Sequence, residues 1–189
     1  FAVYIYAFLL LTVLIRSSPG LEIQVNQPGT LILSVRLDSV WIDENGNIQS
    51  SPKLKSLIRP EHPSIPYISE ILIGVSPDAI LNYFPDDERV MPISTELKLG
   101  THESPKGMEL PDNIPVLFQF QEQSQLATLN AVPDIKRRTC AVLKIFPISV
   151  DEGSISWIED LTIQLTWDPE DPSFIPVILS MEGIQSIQP

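Results

Sequence analysis

The sequence of 189 residues is poor in the residue types that form disulfides and metal centres. It contains one cysteine, Cys140, and two histidines, His62 and His102. A single cysteine excludes a disulfide within the chain and a zinc site built from several cysteines. Two histidines leave few ligands for another transition metal. We therefore expect no metal centre.

Glycine is scarce as well, and basic residues are outnumbered. The eight glycines are dispersed, and none belongs to a G-x-G-x-x-G or P-loop pattern, so we expect neither a nucleotide nor another cofactor. The chain after Gly20 has 24 acidic and 11 basic residues, which gives a net charge of −13. Such a surface repels the phosphates of nucleic acids, and we expect no nucleic-acid partner.

The sequence has no pattern of an activated nucleophile. Cys140 lies within "TCAVLKIFPISV", an almost wholly apolar stretch, and apolar surroundings keep a thiol protonated and inert. We expect this cysteine to be a core residue. His62 follows Glu61 in a proline-stiffened turn and His102 falls in an exposed loop, so both are expected at the surface. We predict no catalytic residue in this chain.

The first 15 residues, "FAVYIYAFLLLTVLI", form one uninterrupted apolar run. As a helix this run would be about 22 Å long, which is short of the roughly 30 Å hydrocarbon core of a membrane. It is typical of the apolar region of a signal peptide, and Ser18 and Gly20 suit cleavage before Leu21. We predict a signal peptide without its basic region at residues 1–20, with an uncleaved anchor as the alternative. Membrane contact would then occur only through this segment.

Beyond Gly20 the dominant period of apolar residues is two, which is typical of half-buried strands. The segments "TLILSVRLDSVWID" and "DLTIQLTWD" both show it. "DENGNI" and "DEGS" have the composition of hairpin turns. The eighteen prolines suit turns, sheet edges and strand starts. The sequence predicts an all-β fold, an antiparallel β-sandwich or distorted barrel with long loops and little helix.

Three segments are expected to depart from this pattern. "SPDAILNYF" could form about two helical turns capped by Ser76, and residues 98–113 are expected to form a long exposed loop. The composition changes at "DPEDPSF". We therefore expect the β-domain to span residues 21–168 and residues 169–189 to be a linker.

Two motifs resemble the N-terminal pro-domain of gingipain-type cysteine peptidases, a group that includes the sortase-like peptidase of type IX secretion. The first, "PSIP" at residues 63–66 followed by "YISEILIGV", is similar to the family's "G-x-P-x-L-P" turn and strand. The second, "KRRTCAVLKIFPISVDEGSISWIEDLTIQLTW", is similar to the family's "R-G-x-R-x-x-x-L-x-V-x-P-V-x-Y" strand, short turn and final alternating strand. With the sequence between them, the resemblance covers roughly residues 31–168.

Some positions match the second motif and others depart from the family's pattern. Glu61 and Arg137 stand where the family tends to have glycine, and Val150 stands in place of a tyrosine. The positions in register with the second motif are Lys136, Leu143, Ile145, Pro147 and Ile148.

The resemblance implies a β-sandwich pro-domain that packs on a downstream caspase-like catalytic domain and assists its folding or keeps it latent. The catalytic histidine and cysteine would belong to that downstream domain. This chain would then hydrolyse no peptides, whereas the full-length protein would be a cysteine endopeptidase. The resemblance also implies export, with a location at the outer-membrane cell surface or in the medium.

Inhibition of the downstream domain would require an exposed segment that occupies its substrate cleft. The long loop and the basic cluster at the start of the second motif are the candidates for this contact. The candidate residues are Lys106, Lys136, Arg137 and Arg138.

The three tryptophans leave a different function open, that of an exported adhesin or carbohydrate-binding β-sandwich. Trp41, Trp157 and Trp167 could stack on sugars. Trp167, however, has the parity of the apolar residues in "DLTIQLTWD", which favours a position in the core.

Overall fold

The computed structural model describes residues 19–57, 62–100, 125–135, 137–151 and 153–180, which contain strands and no helix. Accordingly, no helix in this part of the chain is long and apolar enough to cross a membrane. The strands are β1 (Leu21–Gln27), β2 (Thr30–Arg36), β3 (Ser39–Ile42), β4 (Ile48–Ser51), β5 (Lys55–Leu57), β6 (Ile65–Ile73), β7 (Ile80–Pro92), β8 (Ala127–Ile135), β9 (Arg138–Ile145), β10 (Ile148–Asp151), β11 (Ser154–Thr166) and β12 (Val177–Ser180).

The first sheet is built around the long strand β11. One edge of β11 pairs with β2 and β10, and β7 pairs along the whole of its other edge. Strand β1 completes the sheet beside β2, and all of these pairs are antiparallel. From Leu161 onwards alternate residues of β11 are buried, as the period of two predicts. Leu161, Ile163 and Leu165 face the core opposite Val35, Leu33 and Leu31 of β2.

The second sheet has the order β12-β6-β9-β8, with β5 paired to the start of β6. Ile68 lies opposite Ile145 and Leu72 lies opposite Ala141, and all four side chains are buried. Side chains alternate between the two faces of β6, so Glu70 lies on the same face as Ile68 and Leu72. Its side chain is fully buried. Strands β3 and β4 form a separate two-stranded hairpin.

Buried side chains of both sheets belong to one hydrophobic core, so the fold is a β-sandwich and the predicted all-β class is confirmed. The barrel alternative is wrong, because the two sheets have separate strand orders. The core residues from the first sheet include Leu31, Leu33, Val35, Ile155, Leu161, Ile163 and Leu165, and those from the second include Ile68, Leu72, Leu143, Ile145 and Ile178.

Both predicted hairpin turns are present. Asp43 organises the β3–β4 turn, where its carboxylate accepts hydrogen bonds from the backbone N–H groups of Asn45 and Asn47 at 2.9 Å. The same carboxylate accepts bonds from the amide groups of Asn47 and Gln49. The second turn joins β10 to β11, where Asp151 pairs with Ser154. Carboxylate-to-backbone bonds of the kind that Asp43 makes are the reason that aspartate favours turns.

The short helix predicted in "SPDAILNYF" is wrong. Ser76 stabilises only a single turn, in which Ala79 N–H donates to the carbonyl of Ser76 at 3.0 Å. From Ile80 the chain is strand β7 and pairs with β11 as far as Pro92. Pairing with a long central strand overrides the weak local preference for helix.

The second sheet includes a strand beyond Asp168, where the sequence predicts a linker. Strand β12 pairs antiparallel with β6, and Ile178 is fully buried opposite Leu72. The connection to β12 is tied to the first sheet as well, because Asn26 Nδ2 donates to the carbonyl of Pro176 at 2.7 Å. The predicted signal segment, apart from residues 19 and 20, and residues 101–113 of the predicted loop lie outside the described residues.

Candidate functional site

The predicted basic cluster lies at the tip of the β8–β9 hairpin. Ile135 of β8 pairs with Arg138 of β9, and Arg137 lies in the turn between the two strands. Arg137 is exposed and has a φ of 63°, a left-handed conformation that glycine adopts most easily. This is a position where the gingipain pattern has glycine. Lys136 lies outside the described residues.

Arg138 follows at the start of β9, and its side chain is held against the β11–β12 connection. Its guanidinium carbon lies 3.7 Å from the ring centroid of Phe174. Its Nη1 atom lies 3.9 Å from Oδ2 of Asp171. A guanidinium over an aromatic ring is attracted by the negative face of the ring. The two arginines therefore differ in their contacts. Arg138 contacts Phe174 and Asp171, whereas Arg137 makes no ion pair or hydrogen bond with described residues.

Asp171 is oriented by the turn that precedes Phe174. Its Oδ1 atom accepts hydrogen bonds from the hydroxyl of Ser173 at 2.6 Å and from the Ser173 backbone N–H at 3.0 Å. These two bonds, together with the positive charge of Arg138, lower the pKa of the Asp171 carboxyl. The carboxylate therefore stays ionised where it faces the guanidinium.

The ring of Phe174 lies over the backbone of Gly74, which follows β6. Gly74 has a φ of 86°, and the Phe174 ring occupies the space that a Cβ at this position would need. Gly74 N–H donates to the carbonyl of Thr139 at 2.8 Å, which ties this turn to β9. The ring and the guanidinium therefore stack on an end of the second sheet where Gly74 places no side chain in the way.

These elements enclose an open groove of about 360 Å³ at one end of the sandwich. Its walls come from the β8–β9 hairpin, the turn after β6 and the chain after β11. They contain hydroxyl groups and charges of both signs but no cysteine or histidine, so no thiol–imidazole pair is assembled among the described residues there. The lining residues are Gly74, Ser76, Arg137, Arg138, Thr139, Trp167, Asp168, Pro169, Glu170, Asp171 and Phe174.

The cysteine and histidine residues form no catalytic site among the described residues. Cys140 is 1% exposed, as expected for a core cysteine, and its thiol lies 3.2 Å from the carbonyl of Arg138. His62 is exposed. His102 and the candidate Lys106 lie outside the described residues. In the described ranges no group of three or more histidine, cysteine or acidic residues could hold a metal ion.

The tryptophans do not share one exposed surface. Trp41 on β3 is 44% exposed, whereas Trp157 and Trp167 pack against the core. The indole N–H groups of Trp157 and Trp167 are buried and donate no hydrogen bond within the described structure. A sugar platform made by several of these rings is therefore absent from the described residues, and the adhesin alternative is not favoured.

The described part of the chain is thus an antiparallel β-sandwich with a basic hairpin beside an open groove. Two solved structures from Porphyromonas gingivalis have a similar fold. One concerns the zymogenic latency of gingipain K, with a TM-score of 0.55, 15% identity, and coverage of 79% of this chain and 92% of that chain. The other is the complex of RgpB pro- and mature domains, with a TM-score of 0.53, 13% identity, and coverage of 90% and 95% respectively.

The resemblance that the two motifs indicate is confirmed by these structures at the level of the fold. No protein-family model matches the chain. No curated protein matches it either.

Proposed function

We propose that this chain is the non-catalytic N-terminal pro-domain of an exported gingipain-like cysteine peptidase, and that it assists folding of the peptidase or keeps it latent. The observation that carries the proposal is the fold shared with the gingipain K and RgpB structures over most of both chains. The two sequence motifs support it independently, because they depend on residue identities and not on the fold. The RgpB structure contains pro- and mature domains in complex, which supports a downstream catalytic domain as the partner here.

The catalytic histidine and cysteine would lie in the downstream domain, so the full-length protein would be a cysteine endopeptidase. This chain supplies a recognition surface to that domain. Export through the predicted signal segment would take both parts to the cell surface or the medium.

Arg137 is the best described candidate for a contact with the substrate cleft. It is exposed, it has no partner among described residues, and it lies at the tip of the β8–β9 hairpin. Pairing of the flanking strands restricts the backbone at this tip, so less backbone entropy is lost when Arg137 enters a cleft. Arg138 has a different role in this proposal, because its guanidinium is already held by Phe174 and Asp171. Lys106 and Lys136 remain candidates from the sequence.

The test is inhibition of the cognate peptidase domain by this chain added in trans. We expect Arg137→Ala to weaken inhibition about tenfold or more, as loss of a central charged contact does in other interfaces. Lys53→Ala is the matched control, because Lys53 is an exposed basic residue in the β4–β5 connection. Equal inhibition by both variants and the unmodified chain would show that Arg137 does not contribute to binding in the cleft. Lys106→Ala and Lys136→Ala are then the variants that locate the contact.

Assistance in folding is measured separately. The peptidase domain is refolded with and without this chain, and the recovered activity is measured after the chain is removed. A higher yield with the chain supports folding assistance. Inhibition without any change in yield supports latency alone.

A further inference from the structure

The outer surface of the first sheet has an area without charge. Strands β7, β11 and β2 lie side by side there, and their outward-facing residues form three rows in register. We call these nine residues the neutral face. They are Ile80, Thr166 and Thr30 in the first row, Asn82, Gln164 and Ile32 in the second, and Phe84, Thr162 and Ser34 in the third.

The burial pattern shows that these residues face away from the core. Leu81 and Tyr83 of β7 pack against the core, whereas Ile80 is 64% exposed and Phe84 is 55% exposed. In β11 the fully buried Ile163 is followed by Gln164 of the neutral face, because successive side chains of a strand point to opposite sides. Two large apolar side chains are therefore exposed within an uncharged surface of about 10 by 14 Å, from strand spacing and rise.

A charged row borders the neutral face directly. Asp86 lies opposite Asp160, and Asp160 lies opposite Arg36 on its other side. Asp87 and Glu88 follow on β7, and both are exposed. Arg36 forms an ion pair with Asp38 at 3.5 Å. Like charges directly opposite one another in a sheet repel, so a cation from a partner would relieve the Asp86–Asp160 pair.

The first row of the neutral face lies at the end of the first sheet from which the chain leads into the groove beside the β8–β9 hairpin. This row contains Thr166, and the next residue of the chain, Trp167, lines the groove. Ser76, in the turn that leads into β7, lines the groove as well. A partner domain that extends around this end of the sandwich would contact the exposed Arg137 and the neutral face together.

We infer that the neutral face is a docking surface for the peptidase domain, and this inference rests on the proposed function. Protein interfaces have cores depleted in charge and polar rims, which is the arrangement of this surface. The acidic residues of the charged row favour a partner surface that has an apolar centre and basic residues beside it. A second copy of this chain does not meet that requirement, because its neutral face is bordered by the same acidic residues and not by a row of basic ones.

The test measures the affinity of this chain for the cognate peptidase domain by titration calorimetry at low and physiological salt. Ile80→Arg and Phe84→Arg are expected to weaken binding roughly tenfold or more. Val90→Arg is the matched control, because Val90 is on the same strand and 65% exposed but lies beyond the charged row. We expect its affinity to stay within about twofold of that of the unmodified chain. Thr162→Lys on the central strand β11 provides a third disruptive variant should Phe84→Arg fail to fold.

The outcomes separate the inference from the function on which it rests. If the unmodified chain binds and all neutral-face variants bind equally well, the docking surface is elsewhere while the proposed function stands. If the unmodified chain neither binds nor inhibits the peptidase domain, the proposed function fails and the inference fails with it. If sedimentation shows a dimer that Phe84→Arg dissociates, the face binds a second copy and the inference is overturned.

Discussion

The guanidinium of Arg138 lies 3.7 Å above the ring of Phe174, and this contact joins the start of β9 to the chain that leads into β12. The two residues are neighbours in space although strands β10 and β11 separate them in the sequence. Because the ring also covers Gly74, the contact fixes the β11–β12 connection on the end of the second sheet. In the proposed pro-domain this connection leads towards the peptidase.

Phe174→Ala is expected to loosen β12. The substitution removes both the cation–π contact and the packing on Gly74, so the free energy of unfolding should fall by about 1–3 kcal/mol. Hydrogen exchange of the β12 amides should become faster, while exchange in β2 and β11 should change only through global unfolding. Faster exchange in β2 and not in β12 would contradict the role given to this ring.

Gly74→Ala tests the close approach of the ring directly. A Cβ at this position meets Phe174 in addition to the strain of the positive φ, so we expect a loss of roughly 2–4 kcal/mol in the free energy of unfolding. Gly153→Ala is the matched control. Gly153 has a φ of 87° but no atom within 4 Å of an added Cβ, so only the backbone strain of about 1 kcal/mol should appear. Urea unfolding of both variants measures the difference, and equal losses would show that the ring moves aside at little cost.

Arg137→Gly is expected to have opposite effects on stability and on function. Glycine adopts the left-handed conformation without steric strain, so the substitution should stabilise the fold by about 0.5–1 kcal/mol. The same change should weaken inhibition of the peptidase domain. Thermal unfolding and an inhibition assay on one preparation test both parts. A destabilised Arg137→Gly variant would show that the arginine side chain supports the hairpin.

The β3–β4 turn should weaken in acid. Bonds from the Asn47 backbone N–H, the Asn47 side chain, the Asn45 N–H and Gln49 lower the pKa of Asp43 from its ordinary value of 3.8. A carboxyl whose pKa is lower in the folded state stabilises the fold above its unfolded pKa, and this contribution is lost as the pH falls through the folded value. Stability should therefore decline below about pH 4.

Asp43→Ala tests whether Asp43 causes this dependence of stability on pH. Urea unfolding at pH 7 should show a less stable variant, and the difference from the unmodified chain should shrink as the pH approaches about 2. Asp78→Ala serves as the control, because Asp78 is an exposed acid in another turn. A difference that is constant with pH would mean that the charge of Asp43 does not matter to the turn.

The period of two in the apolar residues was sufficient to predict those strands of the sandwich that have one buried and one polar face. In β11, Leu161, Ile163 and Leu165 alternate with polar residues, and the structure buries them together. The same reasoning missed β12, because "VILS" is a segment of only four residues and its partner β6 lies about 100 positions earlier. A short apolar segment has no period of its own, and its pairing depends on tertiary contacts.

The candidate site was predictable only in part. The sequence predicts the basic cluster just before an apolar strand, whereas its position on a hairpin tip depends on the pairing of β8 with β9. The left-handed conformation of Arg137 agrees with the glycine of the family pattern. The capture of Arg138 by Phe174 and Asp171 was not predictable, because both partners lie in a segment with the composition of a linker. The neutral face was not predictable either, because its three rows depend on the register of β7, β11 and β2.

A titration of the cognate peptidase domain with this chain tests whether the chain acts as a pro-domain. Residual peptidase activity and the yield of refolded enzyme are measured at increasing ratios of chain to peptidase. We expect that activity falls to a minimum near equimolar ratio, that the refolding yield rises, or that both occur. Activity and yield that remain unchanged at every ratio would contradict the proposed function.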